Sequence, residues 1–252
     1  MPGGAGIVVD LLIFLRVSGY LFAGPVFSSS LVPTTLRVGI GVILTFILAP
    51  VTAMHVPHGT LAVIIAGAGE LLLGLAMGYV GNLVFSVAAV AGGLLDVEVG
   101  FALGQTLNPA FGGAASTVSQ NFLLVVFSLL FLLTGGLELS IVGLGASLRL
   151  VPNPVAQSGP VAGLVTRFTG AVIATGVLMA LPMLVLVFVL NMVLAILSRF
   201  APQLNVFALG LSIQPALGMI GLLLALPVLM GVMTPFIGAI QRDVFRLLEA
   251  VR

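Results

Sequence analysis

An all-α membrane protein is the fold class this sequence predicts, on three observations. Of 252 residues, 60% are hydrophobic and only 6% charged, with a mean hydropathy of +1.35, whereas a soluble domain carries roughly a quarter charged residues. The apolar runs lack the period-2 alternation of membrane-barrel strands, which argues for helices. About six of them reach or approach the roughly 20 residues that cross a bilayer; they lie near 7–27, 38–54, 61–95, 122–150, 168–198 and 206–240.

The first run is not a secretory signal in pattern. Residues 1–9 have no basic n-region and Arg16 interrupts the apolar stretch, so the N-terminus is expected to be retained. The third run, 61–95, would extend about 52 Å as one straight helix against a hydrocarbon core of about 30 Å. Tilt does not readily absorb that excess; helix breaks, re-entrant hairpins or burial in other protein do. Pro182, Pro215, Pro227 and Pro235 supply kinks in the last two runs. The 32 glycines let helix backbones approach closely where lipid gives no hydrophobic drive. Residues 241–252, with Arg242 and Arg246 one turn apart, are expected to form a charged cytoplasmic helix. In a six-span model Arg149, Arg167, Arg242, Arg246 and Arg252 share one side, which places both termini in the cytoplasm.

Composition excludes several functions. Every basic residue is an arginine and none gathers into a stripe, so nucleic-acid binding is excluded. With no cysteine there is no disulfide, thiolate metal site or thiol nucleophile. No GxSxG, HExxH or GxxxxGK[ST] pattern occurs, and no catalytic residue or cofactor is expected. His55 and His58 flank Pro57 without a third ligand, so no metal site is expected either.

Four features stand out from the apolar background. On a helical wheel Gly67, Glu70, Gly74, Gly78 and Gly81 fall within about 80° of one another, so Glu70 faces a helix contact and not lipid. A buried acid there is either a proton relay or a packing group paired with an arginine such as Arg16. Asp96 and Glu98 end the third run and read as a solvated loop boundary. The uncharged Gly/Ala/Ser/Thr-rich stretch 104–121 is a surface loop or a small-residue plug. Arg199 to Phe207 is a polar cluster that makes a tight hairpin or a contact to a partner subunit. The methionines at 179, 183, 192, 219, 230 and 233 read as core filling, with a gasket around a moving polymer as the alternative.

The order of these residues resembles the FliR-type family of the flagellar and type III secretion export gate, with SctT-type injectisome counterparts. The resemblance runs through Arg16-Val17-Ser18-Gly19, Pro25-Val26-Phe27, Pro33, Arg37, Gly69-Glu70, Gly74, Gly78, Phe85, Ala91-Gly92, Asp96, Gly100, Asn108-Pro109 and Gly135-Gly136. It closes with Ala201-Pro202-Gln203-Leu204-Asn205-Val206-Phe207, its most specific block, and Thr234-Pro235-Phe236. It implies a single domain over 1–252 whose kinked helical hairpins pack into a hetero-oligomeric assembly. It implies a non-enzymatic subunit of the bacterial inner membrane, at the flagellar basal body, that helps form and seal a channel for unfolded export substrates. The implied partners are the two smaller FliP-type and FliQ-type subunits, the FlhB-type switch protein and the FlhA-type export protein.

By the same resemblance the plug loop falls within 104–121, with Asn108, Pro109 and Phe111 as gate residues. Arg16, Glu70, Gly74, Gly78 and Asp96 are buried polar or packing positions; Arg199, Pro202, Gln203, Asn205 and Phe207 are assembly positions. Two departures matter: Asn108 replaces the usual acid before the loop proline, and Ser212-Ile213-Gln214-Pro215 lacks the usual proline-lysine pair. No charge-based gating is carried over at those two places. The injectisome subunit is the alternative, and a proton-coupled transporter built on Glu70 is the rival from another class.

Overall fold

A computed structural model describes residues 4–28, 32–52, 59–101, 118–152, 158–201, 203 and 205–251. Within these the chain forms seven α-helices: α1 (Gly4–Ala23), α2 (Thr34–Leu48), α3 (Thr60–Glu98), α4 (Val118–Leu133), α5 (Gly136–Leu150), α6 (Ser158–Phe200) and α7 (Val206–Val251). No strand occurs among the described residues. The all-α membrane class holds. Four helices have windows long and apolar enough to span: Gly6–Ala23, Thr60–Glu98, Thr166–Phe200 and Ala208–Ala239. α4 and α5 pass the same test only as a pair.

The helix boundaries follow local chemistry. Pro33, which has no N–H to leave unsatisfied, starts α2 and its carbonyl accepts from Leu36 and Arg37. Pro50 tightens the end of α2 into a 3-10 turn, Ala49–Val51. Gly100, at φ +88°, ends α3 in the left-handed conformation that glycine adopts without a Cβ penalty. The single run expected over 122–150 is two helices. The chain breaks at Thr134 and Gly135, where Gly135 takes φ +73°, and a Cβ on Gly136 would collide with the Phe131 ring. At the other end, the charged segment from Gln241 continues α7 without a break. α6 and α7 run through Pro182 and through Pro215, Pro227 and Pro235 respectively.

The chain forms two compact units, one made of Met1–Val84, Phe131–Gly170 and Phe236–Arg252, the other of Phe85–Leu130 and Ala171–Pro235. In the first, Leu12, Ile13, Val17, Leu21, Met77, Val80, Leu144 and Leu148 make an apolar core. In the second, Val87, Leu95, Leu123, Phe127, Met179, Met183, Leu222 and Met233 do so. Met179, Met183 and Met233 therefore fill core, while Met192 and Met230 are exposed. Burial is sparse on α6: only 17% of its apolar window is covered. Side chains such as Phe188, Ile196 and Phe200 are left to face lipid or other protein.

Candidate functional site

Every member of the glycine stripe on α3 meets α1 or the turn that follows it. Gly67 faces Leu15, Gly74 lies on the backbone of Arg16 and Tyr20, Gly78 on that of Tyr20 and Gly24, and Gly81 on Pro25. From the α1 side, a Cβ on Gly19 would stand 2.6 Å from the Leu71 carbonyl; one on Gly78 would stand 2.7 Å from that of Tyr20. Real Cβ atoms do not come so close, so the helices cross with backbones in contact. Residue numbers rise together along the seam, and α1 and α3 run parallel. Small residues are what permit this packing between apolar helices.

The charged pair sits within the seam. Arg16 and Glu70 are both buried, and Arg16 Nε donates to Glu70 Oε2 at 2.5 Å. Arg16 Nη1 donates to Ser147 Oγ at 3.2 Å, and Nη2 to the Val151 carbonyl at 2.6 Å. Ser147 in turn donates its hydroxyl proton to the Leu144 carbonyl, so its donor and acceptor capacities are both used. Val151 follows the last turn of α5, whose end leaves carbonyls without helical partners. One guanidinium thus ties α1, α3 and the end of α5 together. Its planar fork of five N–H groups suits three partners in different directions; a lysine point charge does not. Glu70 Oε1 is the one carboxylate atom of the pair with no hydrogen-bond partner.

In the second unit Asp96 is buried, as the family resemblance implies and against the solvated boundary read from composition, while Glu98 is exposed. Its carboxylate accepts from the Ser119 N–H at 2.8 Å and the Gln120 N–H at 3.1 Å. These amides belong to the first turn of α4 and have no helical acceptor of their own.

Asn108, Pro109, Phe111 and Pro202 lie outside the described residues, as do His55 and His58. Arg199 and Gln203 are exposed. Asn205 caps α7, its Oδ1 accepting the Ala208 N–H at 3.1 Å, and Phe207 lies in that first turn. No group of three or more His, Asp or Glu that could hold a metal occurs among the described residues.

Two sets of polar groups were missed from the sequence. Ser147 and the Val151 carbonyl are more than 130 positions from Arg16, and no local pattern marks them. Gln214 donates to Asn191 on an exposed face where α6 and α7 meet; two lone amides inside strongly apolar helices were the available signal.

Residues 7–240 match the model of the bacterial export proteins, family 1. The chain belongs to this family. It is 32% identical over 228 residues to the flagellar biosynthetic protein FliR of Aquifex aeolicus (strain VF5), with 88% of this chain and 87% of the relative covered. It is 29% identical over 242 residues to FliR of Pectobacterium carotovorum subsp. carotovorum, covering 94% and 90%. A shorter match, 34% over 156 residues and 59% of this chain and 58% of the relative, is to the Yop proteins translocation protein T of Yersinia pestis. The FliR-type resemblance read from the Arg16, Glu70 and Ala201-Pro202-Gln203 regions is borne out at the level of the family.

Proposed function

We propose that this membrane protein is a non-enzymatic subunit of the flagellar type III export gate. It acts in the bacterial inner membrane at the basal body, and helps form and seal the channel through which unfolded flagellar substrates cross. The carrying observation is that relatives named FliR align along nearly the whole chain, covering 87% and 90% of their own length in two cases. FliP-type and FliQ-type subunits are its closest partners in this reading, with FlhB-type and FlhA-type proteins beside them.

Structure and reading fit in two respects. The largely uncovered apolar surface of α6 suits packing against other helices in an assembly. The Arg16–Glu70 pair is locked inside a backbone-tight seam, which suits a packing group better than a proton carrier. The 104–121 stretch, with Asn108, Pro109 and Phe111, is the proposed plug. A channel that admits a polypeptide must exclude ions at rest, and a small-residue loop held by weak contacts can seal it and still be displaced.

The match to the Yop translocation protein favours, as a second reading, the same role in an injectisome. Removing the gene from its own host separates the two. Cells should lose filaments and retain flagellar subunits in the cytoplasm. Normal swimming with loss of injectisome secretion would favour the second reading, and normal performance of both would sink the gate.

A further inference from the structure

α6 and α7 pack antiparallel along a seam whose partners follow in order: Leu194 meets Gly210, Asn191 meets Gln214, and Met183 and Leu186 meet Gly221. Apart from the two carboxamides, these side chains are apolar or absent. Both amides lie inside apolar spans, Thr166–Phe200 and Ala208–Ala239. About 13 Å of helix separates Asn191 from the end of its span at Phe200, and a carboxamide on so short a stem does not snorkel that far.

Their mutual bond leaves much hydrogen-bonding capacity unused. Each carboxamide has two N–H donors and an oxygen with two acceptor sites. Gln214 Nε2 gives one N–H to Asn191 Oδ1; among the described residues nothing meets the Asn191 NH2 or the Gln214 Oε1. Neighbouring hydroxyls have an outlet that the amides lack, since Ser198 and Ser212 donate to the carbonyls of Ala195 and Ala208 within their own helices.

What covers the pair is therefore constrained from two sides. Asn191 is exposed, and exposed Phe188, Leu211 and Leu217 stand within a turn of the two amides. An apolar rim of this kind suits burial and not water. Hydrocarbon suits the rim but leaves the amide groups unsatisfied. Another protein helix answers both: its apolar face covers the rim, and a polar side chain on it supplies the missing partners, as in helix packing within membranes.

We propose that the Asn191–Gln214 pair is the docking point for another subunit of the gate, an apolar transmembrane helix whose own carboxamide or hydroxyl completes the pair's hydrogen bonds. This rests on the reading of the chain as a gate subunit.

The test introduces Phe188→p-benzoylphenylalanine into the tagged chain, cross-links it in native membranes and purifies the complex in gentle detergent. With the amides intact, the probe should join another gate subunit, at a peptide from an apolar helix that contains Asn, Gln, Ser or Thr. Asn191→Leu with Gln214→Leu should cut that cross-link, and the share of chain recovered in the complex, about tenfold. Ser212→Ala, whose hydroxyl is already satisfied within α7, should change neither. Replacing the polar residue of the cross-linked peptide by leucine should reproduce the loss and add nothing to the double variant. Undiminished cross-linking in the double variant overturns the proposal and leaves the gate reading standing, as does a cross-link confined to lipid or to a second copy of this chain. Recovery of the chain with no other subunit sinks the gate reading and this inference with it.

Because the pair also ties α6 to α7, the double variant is repeated with Leu194→Cys and Gly210→Cys bridged by a short bifunctional thiol reagent, beside the bridged chain with its amides intact. A Cβ on Gly210 would stand 3.5 Å from Leu194 Cδ1, and the chain has no cysteine of its own. With the two helices held together the loss should persist. Full recovery of the complex on bridging overturns the proposal, since the pair would then act only within the chain.

Discussion

Replacing Arg16 by alanine is expected to destabilise the first unit by about 3–5 kcal/mol, the usual cost of removing one partner from a buried ion pair. The Glu70 carboxylate would lose its cation while remaining enclosed by the α1–α3 seam. The Val151 carbonyl would lose its donor at the end of α5. Arg16→Lys should recover only part, since one ammonium cannot reproduce the guanidinium fork toward Glu70, Ser147 and Val151. The double change Arg16→Met with Glu70→Leu should be far milder than Arg16→Ala, because apolar groups of similar volume remove both charges together. Thermal unfolding of the purified chain in mild detergent, beside its level in native membranes, reads all three. A neutral Arg16→Ala, or a double variant as weak as the single, would contradict the account of the pair.

Deleting residues 106–116 should leave the export complex assembled yet leaky to small ions. The seal against ions at rest is the task assigned to this stretch, and the fastening of α4 by Asp96 and Gly92 stands outside the deletion. Single-channel recording on the reconstituted complex should show standing conductance where wild type shows none. Unchanged conductance in a complex of normal composition would remove the plug from the account.

The sequence made the helical class and the α1–α3 seam legible because both depend on periodicity. The 3.6-residue repeat put Gly67, Glu70, Gly74, Gly78 and Gly81 on one face, and all five meet α1 or its following turn. Arg16 was available as a partner for Glu70 because charges are so scarce here that few pairings exist. The division of 122–150 was harder to see: Gly135 and Gly136 sit in an unbroken apolar run, and only the left-handed turn at Gly135 separates α4 from α5. From composition alone Asp96 reads as a solvated boundary for a related reason, and only the family resemblance placed it among the buried polar positions. An acid beside a Gly-rich stretch has the pattern of a solvated boundary, and its partners are backbone amides 23 and 24 positions away. Any residue type but proline supplies such amides, so composition cannot announce them. Ser147 and Val151 share that difficulty at still longer range.

Membership of an export gate is the central claim, and its most direct test is composition. The tagged chain would be purified from its native membrane in gentle detergent and weighed by native mass spectrometry with whatever accompanies it. The account predicts a large complex containing two smaller hydrophobic subunits of the FliP and FliQ types. A chain recovered alone or as a homodimer, from cells shown to express those partners, would contradict it and would make the Glu70→Gln flux assay of a proton-coupled transporter the next experiment.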